Sequence, residues 1–294
     1  MQSVEDYYRH CPNQPQVLIS DAVCFGRRRA SYPFCPGCQF NDDERGRDAA
    51  ASGGKKQTMI ERVFKAYDVR ATYPDMLNED AAWRIGFATA SFLHTGLRGL
   101  DRAAAGATTV VVGRDMRLSS PSLSAALIEG IRATGSPVID IGMIDTPQLY
   151  FAINHLGSCG GIQTTASHNP AHYNGFKISA LKGAPVGSDT GLSDVCKIAQ
   201  NTTRHDTGQE GPLREVDLAA EYKAFVRSHL ETPRKLRICI DASNGMAGKW
   251  VPILFDDVNE LDLVYLNMET TGEFVHEPNP LVEANLAQLR ESVR

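Results

Sequence analysis

The sequence has no long hydrophobic run. No stretch among its 294 residues approaches the ~20 consecutive apolar residues with which a helix crosses a bilayer. The first thirty residues also lack the apolar segment of a secretory signal. We therefore expect a cytoplasmic protein with no membrane partner.

The chain has no excess of positive charge either. Its 30 Lys and Arg stand against 35 Asp and Glu, which gives a formal net charge of −5. General binding to nucleic acid needs a basic face that neutralises phosphates. The one basic run, residues 27–29, is too short to supply it, and we expect no nucleic-acid partner.

The seven cysteines, an odd number in a chain without an export signal, do not suit a disulfide framework. Cys35 and Cys38 have the two-residue spacing with which two thiolates bind one tetrahedral zinc. Cys24, Cys11 or His10 could complete the ligand set, but a second paired motif is missing. Two alternatives stay open: a small zinc site on Cys24, Cys35 and Cys38, or a disordered tail with incidental thiols.

Residues 1–57 differ in composition from the rest of the chain. They are polar, lack sustained periodicity and end in a stretch rich in Gly, Ala and Ser, Asp48 to Lys56, that is typical of a flexible linker. We interpret this segment as an irregular N-terminal tail.

Beyond the tail, helical and strand patterns alternate. Apolar residues recur every three to four positions from Leu77 to Leu97 and predict a helix. Another helix is predicted to start at Ser120, which can cap free amides, with Pro121 in its first turn. Strands are predicted at 109–112, 137–141, 160–164 and 176–178, then a helix at 218–230, strands at 236–240 and 261–266, and a helix at 281–293. This order predicts layered α/β domains.

The polar loop between the strands at 160–164 and 176–178 carries reactive groups. Ser167 precedes His168, which indicates either a nucleophile beside a base or a turn satisfied by its own polar side chains. Ligands bind at strand ends in α/β sheets, and period-two alternation turns Lys177 away from the buried face. Lys177 is therefore either a phosphate-neutralising cation or a solvated strand lysine.

Residues 165–170 resemble the phosphoserine signature of the α-D-phosphohexomutases, the family of phosphomannomutase, phosphoglucomutase and phosphoglucosamine mutase. Further segments match in the family order, at 64–70, 112–120, 173–178 and 278–281, so the resemblance covers 63–294 and is greatest to the bacterial phosphomannomutase/phosphoglucomutase branch. It implies layered α/β/α domains, two of the family's four. The first would span 58–211 and the second, incomplete at its C-terminal side, 212–294.

The resemblance also implies roles for individual residues. Ser167 would carry a phosphoryl group in contact with magnesium, pass it to a hexose phosphate and recover it from a bisphosphate intermediate, which interconverts hexose 1-phosphate and 6-phosphate. His168, Lys177 and Arg70 match catalytic positions of the family, and Tyr67 and Asn169 match substrate-binding positions. Arg114, Asp115 and Arg117 also fit the family pattern, and we interpret them as a structural salt-bridge cluster at a strand end.

The magnesium-binding string of the family, Asp-x-Asp-x-Asp-Arg, does not occur in these 294 residues, and neither do the loops of its third and fourth domains. We therefore expect the polypeptide on its own to be inactive, or nearly so, as a mutase. Two alternatives are a non-enzymatic homologue that binds or regulates another protein, and a split enzyme completed by a complementing polypeptide.

Overall fold

The structure is a computed structural model that describes residues 8–12, 14–20, 24, 35, 38, 58–96, 108–205, 207–208, 210–231 and 234–293. It divides into two compact units, residues 1–57 and 58–294. In the first unit β1 (Tyr8–Cys11) pairs antiparallel with β2 (Gln14–Ser20), a hairpin that the sequence analysis missed. The predicted linker at Asp48 to Lys56 lies outside the described residues.

A six-stranded sheet forms the centre of the second unit. Its strands are β3 (Val69–Thr72), β4 (Val110–Arg114), β5 (Val138–Met143), β6 (Gly160–Thr164), β7 (Tyr173–Ala180) and β8 (Leu213–Glu215). They lie in the order β3-β7-β6-β4-β5-β8. Strands β6, β4, β5 and β8 are parallel to one another, whereas β7 is antiparallel to both of its neighbours, β3 and β6. The carboxyl ends of four strands therefore meet at one edge.

Helices cover both faces of this sheet. They are α1 (Glu79–Gly96), α2 (Ser120–Arg132), α3 (Thr146–His155) and α4 (Leu192–Asn201). Val110 and Val112 of β4 join the hydrophobic cluster of α1, α2 and α4, while Val111 between them joins that of α3. The alternation of a strand thus supplies two cores, and the predicted α/β/α layers are confirmed. None of the described helices is long and apolar enough to cross a membrane.

A smaller lobe follows β8. It consists of α5 (Ala219–Arg227), β9 (Leu236–Asp241), α6 (Ala247–Phe255), β10 (Leu261–Leu266) and α7 (Ala287–Val293), with β9 and β10 paired in parallel. Tyr222 of α5 and Trp250 of α6 share a buried cluster with Ile139 and Ile141 of β5, which joins the lobe to the main sheet. Helix α6 was not predicted from the sequence. The helix predicted over 281–293 is instead a 3₁₀ turn, Glu283–Leu286, followed by the short α7.

The predicted serine cap of α2 is wrong. Ser119 occupies the capping position, and its side chain forms no hydrogen bond to the helix amides. The side-chain amide of Asn174 instead donates to the hydroxyls of Ser119 and Ser120, at 2.8 Å and 3.0 Å. These serines therefore tie the start of the helix to β7, where Asn174 is fully buried.

Glycines allow α1 and α2 to pack backbone against backbone. A β-carbon on Gly130 would lie 1.9 Å from the carbonyl oxygen of Trp83, and one on Gly86 would lie 2.2 Å from that of Leu127. Neither distance leaves space for a methyl group.

We expect Gly130→Ala to lower the free energy of unfolding by about 1–3 kcal/mol, because the added methyl forces the helices apart. This loss outweighs the gain of about 1 kcal/mol that alanine brings to a helix. Gly187→Ala is the matched control, since its added carbon would meet no atom closer than 3.3 Å. Urea unfolding measures both variants, and a Gly130→Ala protein as stable as the wild type would contradict the close helix contact.

Candidate functional site

The loop after β6 lies at the shared carboxyl edge of the parallel strands. The amide of Asp115, just after β4, donates to the carbonyl of Thr164 at 2.9 Å. The amide of Thr165 donates to the carbonyl of Gly175 at 2.9 Å. Both ends of the loop are therefore fixed to the sheet, at the edge where α/β proteins bind ligands.

Ser167 has an unusual backbone conformation at the tip of this loop. Its φ of +54° lies in the left-handed region, which serine rarely occupies. Its amide donates to Oγ1 of Thr165 at 3.0 Å, and its Oγ lies 3.2 Å from Nδ1 of His168. Ser167 and His168 are both exposed. The turn therefore presents a hydroxyl to solvent with an imidazole nitrogen beside it.

The guanidinium of Arg117 holds the loop from its buried side. Its side chain is 0% exposed, and burial lowers the pKa of Arg117 while the adjacent Asp115 opposes that change. Each of the five guanidinium N–H groups has an acceptor. The acceptors are the carbonyls of Ser167 (3.0 Å), Asn169 (2.7 Å), Pro170 (2.7 Å) and Tyr173 (3.1 Å), and Oδ2 of Asp115 (3.2 Å).

The predicted structural cluster is thus confirmed in part. Arg117 and Asp115 form a buried ion pair, but Arg114 pairs at 3.7 Å with Asp140 of β5. The contact of Arg117 with the carbonyls of the serine loop was not predicted from the sequence. The position of Arg117 fifty residues before Ser167 gives no local signal of that contact.

Arg70 and Lys177 lie on one face of neighbouring strands. Arg70 of β3 is opposite Gly175 of β7, and Lys177 is two residues further along β7, so both side chains leave the same side of the sheet. Arg70 also forms an ion pair with Asp68, while its buried Nε has no hydrogen-bond partner among the described residues. The hydrogen bonds of the described residues join neither cation to Ser167.

The two predicted substrate-binding residues differ in their surroundings. The side-chain amide of Asn169 donates to the carbonyl of Ala166 at 2.9 Å, and so it stabilises the turn from within. Tyr67 is 83% exposed and available to a ligand.

The predicted metal sites are not formed by the residues that the structure describes. Among them, no three His, Cys, Asp or Glu side chains lie close enough together to hold an ion. The zinc site suggested by the spacing of Cys24, Cys35 and Cys38 stays a prediction, because most of residues 1–57 lie outside the described part of the chain. The described residues also offer no group of carboxylates that would fit magnesium.

A polar cavity of about 470 Å³ opens at the same edge of the sheet. It is lined by the Arg114–Asp140 pair and by Glu215, Asp217 and Lys249, among others. Nζ of Lys249 donates to the carbonyl of Met143 at 2.8 Å, and burial lowers the pKa of Lys249. Lys249 was not predicted as a site residue, because α6, on which it lies, was not predicted either.

The ends of β9 and β10 carry a second polar cluster. Nε2 of His276 lies 3.0 Å from Oδ2 of Asp241. The carbonyl of Glu277 and then the Asp241 carboxylate raise the pKa of His276 against the effect of burial. Burial would raise the pKa of Asp241, but hydrogen bonds, first from Asn267 and then from Ser243 and His276, hold it below the ordinary value. The two shifts together indicate an ion pair.

The fold and the loop define a class: layered α/β/α proteins with a ligand edge at the carboxyl ends of parallel strands. Family models of "Phosphoglucomutase/phosphomannomutase, alpha/beta/alpha domain I" and "domain II" match residues 61–206 and 218–294. The chain belongs to this phosphoglucomutase/phosphomannomutase family, the phosphohexomutases.

Individual relatives agree with this assignment. "Phosphohexose mutases" of Xanthomonas campestris pv. campestris is 37% identical over 239 residues, which cover 79% of this chain and 50% of the relative. A phosphomannomutase of Klebsiella pneumoniae is 42% identical over 161 residues, 54% of this chain and 95% of that protein. The crystal structure of a phosphoglucomutase/phosphomannomutase family protein from Burkholderia thailandensis has a TM-score of 0.69 at 33% identity and covers 81% of this chain and 50% of its own. The chain thus spans about half the length of the Xanthomonas and Burkholderia proteins.

We expect His276→Asn to reduce stability only within a window of pH. The lowered pKa of Asp241 stabilises the fold above the ordinary pKa of an aspartate, and this contribution is lost as the pH falls through the lowered value. The raised pKa of His276 stabilises the fold below the ordinary pKa of a histidine, and this contribution is lost as the pH rises through the raised value. The wild type should therefore exceed the variant most between these limits.

Urea unfolding of both proteins from about pH 3 to about pH 9 measures this difference. His155→Asn is the matched control, because the exposed His155 stacks on Phe151 in α3. A constant difference between wild type and His276→Asn across the whole range would contradict the ion pair.

Proposed function

We propose that this chain supplies the phosphoserine part of a phosphohexomutase, which interconverts hexose 1-phosphate and hexose 6-phosphate. One observation carries the proposal: the exposed Oγ of Ser167, in a left-handed turn at the strand ends, lies 3.2 Å from Nδ1 of His168. The relatives named as phosphohexose mutases and phosphomannomutase support a hexose phosphate as the substrate class. Domain boundaries at 58–211 and 212–294, and a place in the cytoplasm, are part of the same proposal.

The transfer follows from the geometry of the turn. In the tautomer with a bare Nδ1, His168 accepts the proton of Ser167 while Oγ attacks phosphorus of a hexose bisphosphate. The bond from phosphorus to the sugar oxygen breaks, the new bond joins phosphorus to Oγ, and the sugar oxygen takes up a proton. The phosphoserine then donates its phosphoryl group to the free 6-hydroxyl of a hexose 1-phosphate. The resulting bisphosphate turns round and returns its 1-phosphoryl group to Oγ, which releases hexose 6-phosphate.

A transferring phosphoryl group spreads negative charge over three oxygens, which fixed donors must stabilise. Arg70 and Lys177 supply two cations on one face of the sheet. The buried Nε of Arg70, which lacks a partner in the part of the chain that the structure describes, is suited to donate to a phosphate oxygen. The exposed ring of Tyr67 can contact the sugar, and Asn169 contributes by shaping the turn.

In this proposal, the phosphoryl group on Ser167 would be a ligand of magnesium. The described residues contain no group that could hold the ion beside it, and the sequence contains no Asp-x-Asp-x-Asp-Arg string. We therefore propose that the 294-residue polypeptide on its own takes up a phosphoryl group slowly and shows little or no mutase turnover.

The proposal predicts one phosphoryl group on Ser167 after incubation with glucose 1,6-bisphosphate and magnesium. Intact mass and peptide mass spectrometry measure the modification and its position. Ser167→Ala should remove it, because no other residue of the turn offers a hydroxyl beside an imidazole. Ser188→Ala, at another exposed serine, is the control and should leave it unchanged. Equal labelling of the wild type and Ser167→Ala would refute the role of this serine.

A complementing polypeptide is a second component that one observation favours. The strands β9 and β10 form a parallel sheet of two strands, although parallel sheets are normally covered on both faces. Ile238 of β9 is 37% exposed, in contrast to the buried Val110 to Val112 of β4. We infer that further polypeptide, of this or another chain, covers the β9–β10 sheet.

Mixing tests this inference. We expect this chain to bind the separately produced carboxyl-terminal half of the Burkholderia relative and to gain turnover of glucose 1-phosphate to glucose 6-phosphate. Ile238→Asp should weaken the binding by about tenfold or more, because it places a charge on the covered face. Leu213→Asp, at a 44% exposed residue of β8, is the control. Binding that is equally strong with Ile238→Asp would contradict the inference.

A further inference from the structure

The smaller lobe contacts Arg117, the residue that holds the serine loop. The ring of Phe274 covers the guanidinium of Arg117, with 5.2 Å from Cζ to the ring centroid. A β-carbon on Gly272 would lie 3.0 Å from the carbonyl oxygen of Met116 and the amide nitrogen of Leu118. Residues 272–276, here called the covering segment, therefore pack directly against the backbone on either side of Arg117.

The covering segment is itself fixed to its own lobe. The amide of Val275 donates to the side-chain oxygen of Asn244 at 3.0 Å, and Asn244 is 5% exposed. His276 forms the ion pair with Asp241 at the end of β9. The two residues that follow Phe274 are thus anchored, and the ring is placed by the smaller lobe rather than by the sheet that carries Ser167.

We propose that Arg117 and Phe274 are positioning residues for phosphoryl transfer at Ser167. Through them, the smaller lobe controls the reactivity of Ser167. The inference rests on the proposed function of Ser167. Four of the five guanidinium contacts go to carbonyls of residues 167–173. They oppose the tendency of Ser167 to leave its left-handed conformation.

Phe274 matters because the contacts of Arg117 depend on the absence of water. A guanidinium covered by an aromatic face gains from the ring quadrupole and keeps its N–H groups for the protein acceptors. Without the ring, water reaches the guanidinium and competes for the same donors. The loop would then sample conformations in which the serine oxygen no longer lies beside His168.

Two rates measure this role in the full 294-residue chain. One is hydrogen exchange of the loop amides of Asn169 and Tyr173, which donate to carbonyls within the turn at 3.1 Å and 3.0 Å. The other is the rate of phosphorylation of Ser167 by saturating glucose 1,6-bisphosphate. Arg117→Lys keeps the charge but loses the fork, and Phe274→Leu keeps an apolar side chain but loses the ring. We expect each to accelerate loop exchange about tenfold and to slow phosphorylation by a similar factor.

Matched variants separate this role from a general loss of stability. Arg84 also donates to carbonyls, those of Ala199 (3.1 Å and 2.8 Å) and Gln200 (3.1 Å), but at the end of α4, so Arg84→Lys should change neither rate. Phe225→Leu serves in the same way for Phe274, since Phe225 is an exposed ring of α5. Phe274→Tyr, which keeps an aromatic face, should leave both rates at their wild-type values.

The outcomes distinguish this inference from the proposed function. Unchanged loop exchange in Arg117→Lys and Phe274→Leu would overturn the inference, whatever the phosphorylation rates. Faster exchange with a wild-type phosphorylation rate would overturn it too, because loosening the loop would then have no effect on phosphoryl transfer. If the wild type is never phosphorylated on Ser167, the proposed function fails and the claim of control over reactivity fails with it, while loop exchange still reports whether the two residues hold the turn.

Discussion

The candidate site depends on one buried guanidinium. Peptide carbonyls in a tight loop need donors, and the backbone of the loop cannot supply them all. Arg117 provides donors to four such carbonyls and neutralises its own charge with Asp115. A lysine could not replace it, because three rotatable donors on one nitrogen do not match acceptors spread over seven residues. The conformation of the loop that exposes Ser167 is therefore determined by a buried residue beneath it.

The regular parts of the fold were predictable from the sequence because burial imposes a local pattern. The apolar run at 109–112 and the periodic stretch after Leu77 appear as β4 and α1 almost where they were expected. The edge strands β3 and β8 were missed, since short strands at the edge of a sheet carry little of that pattern. α6 was missed as well, because Pro252 lies within it and its start follows a turn with left-handed residues at Ser243 and Asn244.

The candidate site was predictable as a set of residues but not as an arrangement. Ser167 and His168 are adjacent in sequence, so their proximity follows from the chain itself. The contact of Arg117 with the loop joins residues about fifty positions apart, and that of Phe274 with Arg117 crosses from one lobe to the other. Such contacts depend on how sheets and helices pack, and single-sequence patterns carry no record of it. The zinc prediction stays a prediction for a related reason: spacing brings two thiolates together, whereas the remaining ligands must come from tertiary structure.

The buried cluster shared by β5, α5 and α6 has a thermodynamic consequence. Ile139 and Ile141 belong to the main sheet, while Tyr222 and Trp250 belong to the smaller lobe, and none of the four is exposed. Separating the lobes would expose apolar side chains of both lobes to water. Unfolding of one lobe alone therefore also costs the free energy of exposing the apolar surface that the other lobe had buried against it. Residues 58–294 should consequently lose structure as one cooperative unit, even though the sheet that carries Ser167 and the segment that covers Arg117 lie far apart in the sequence.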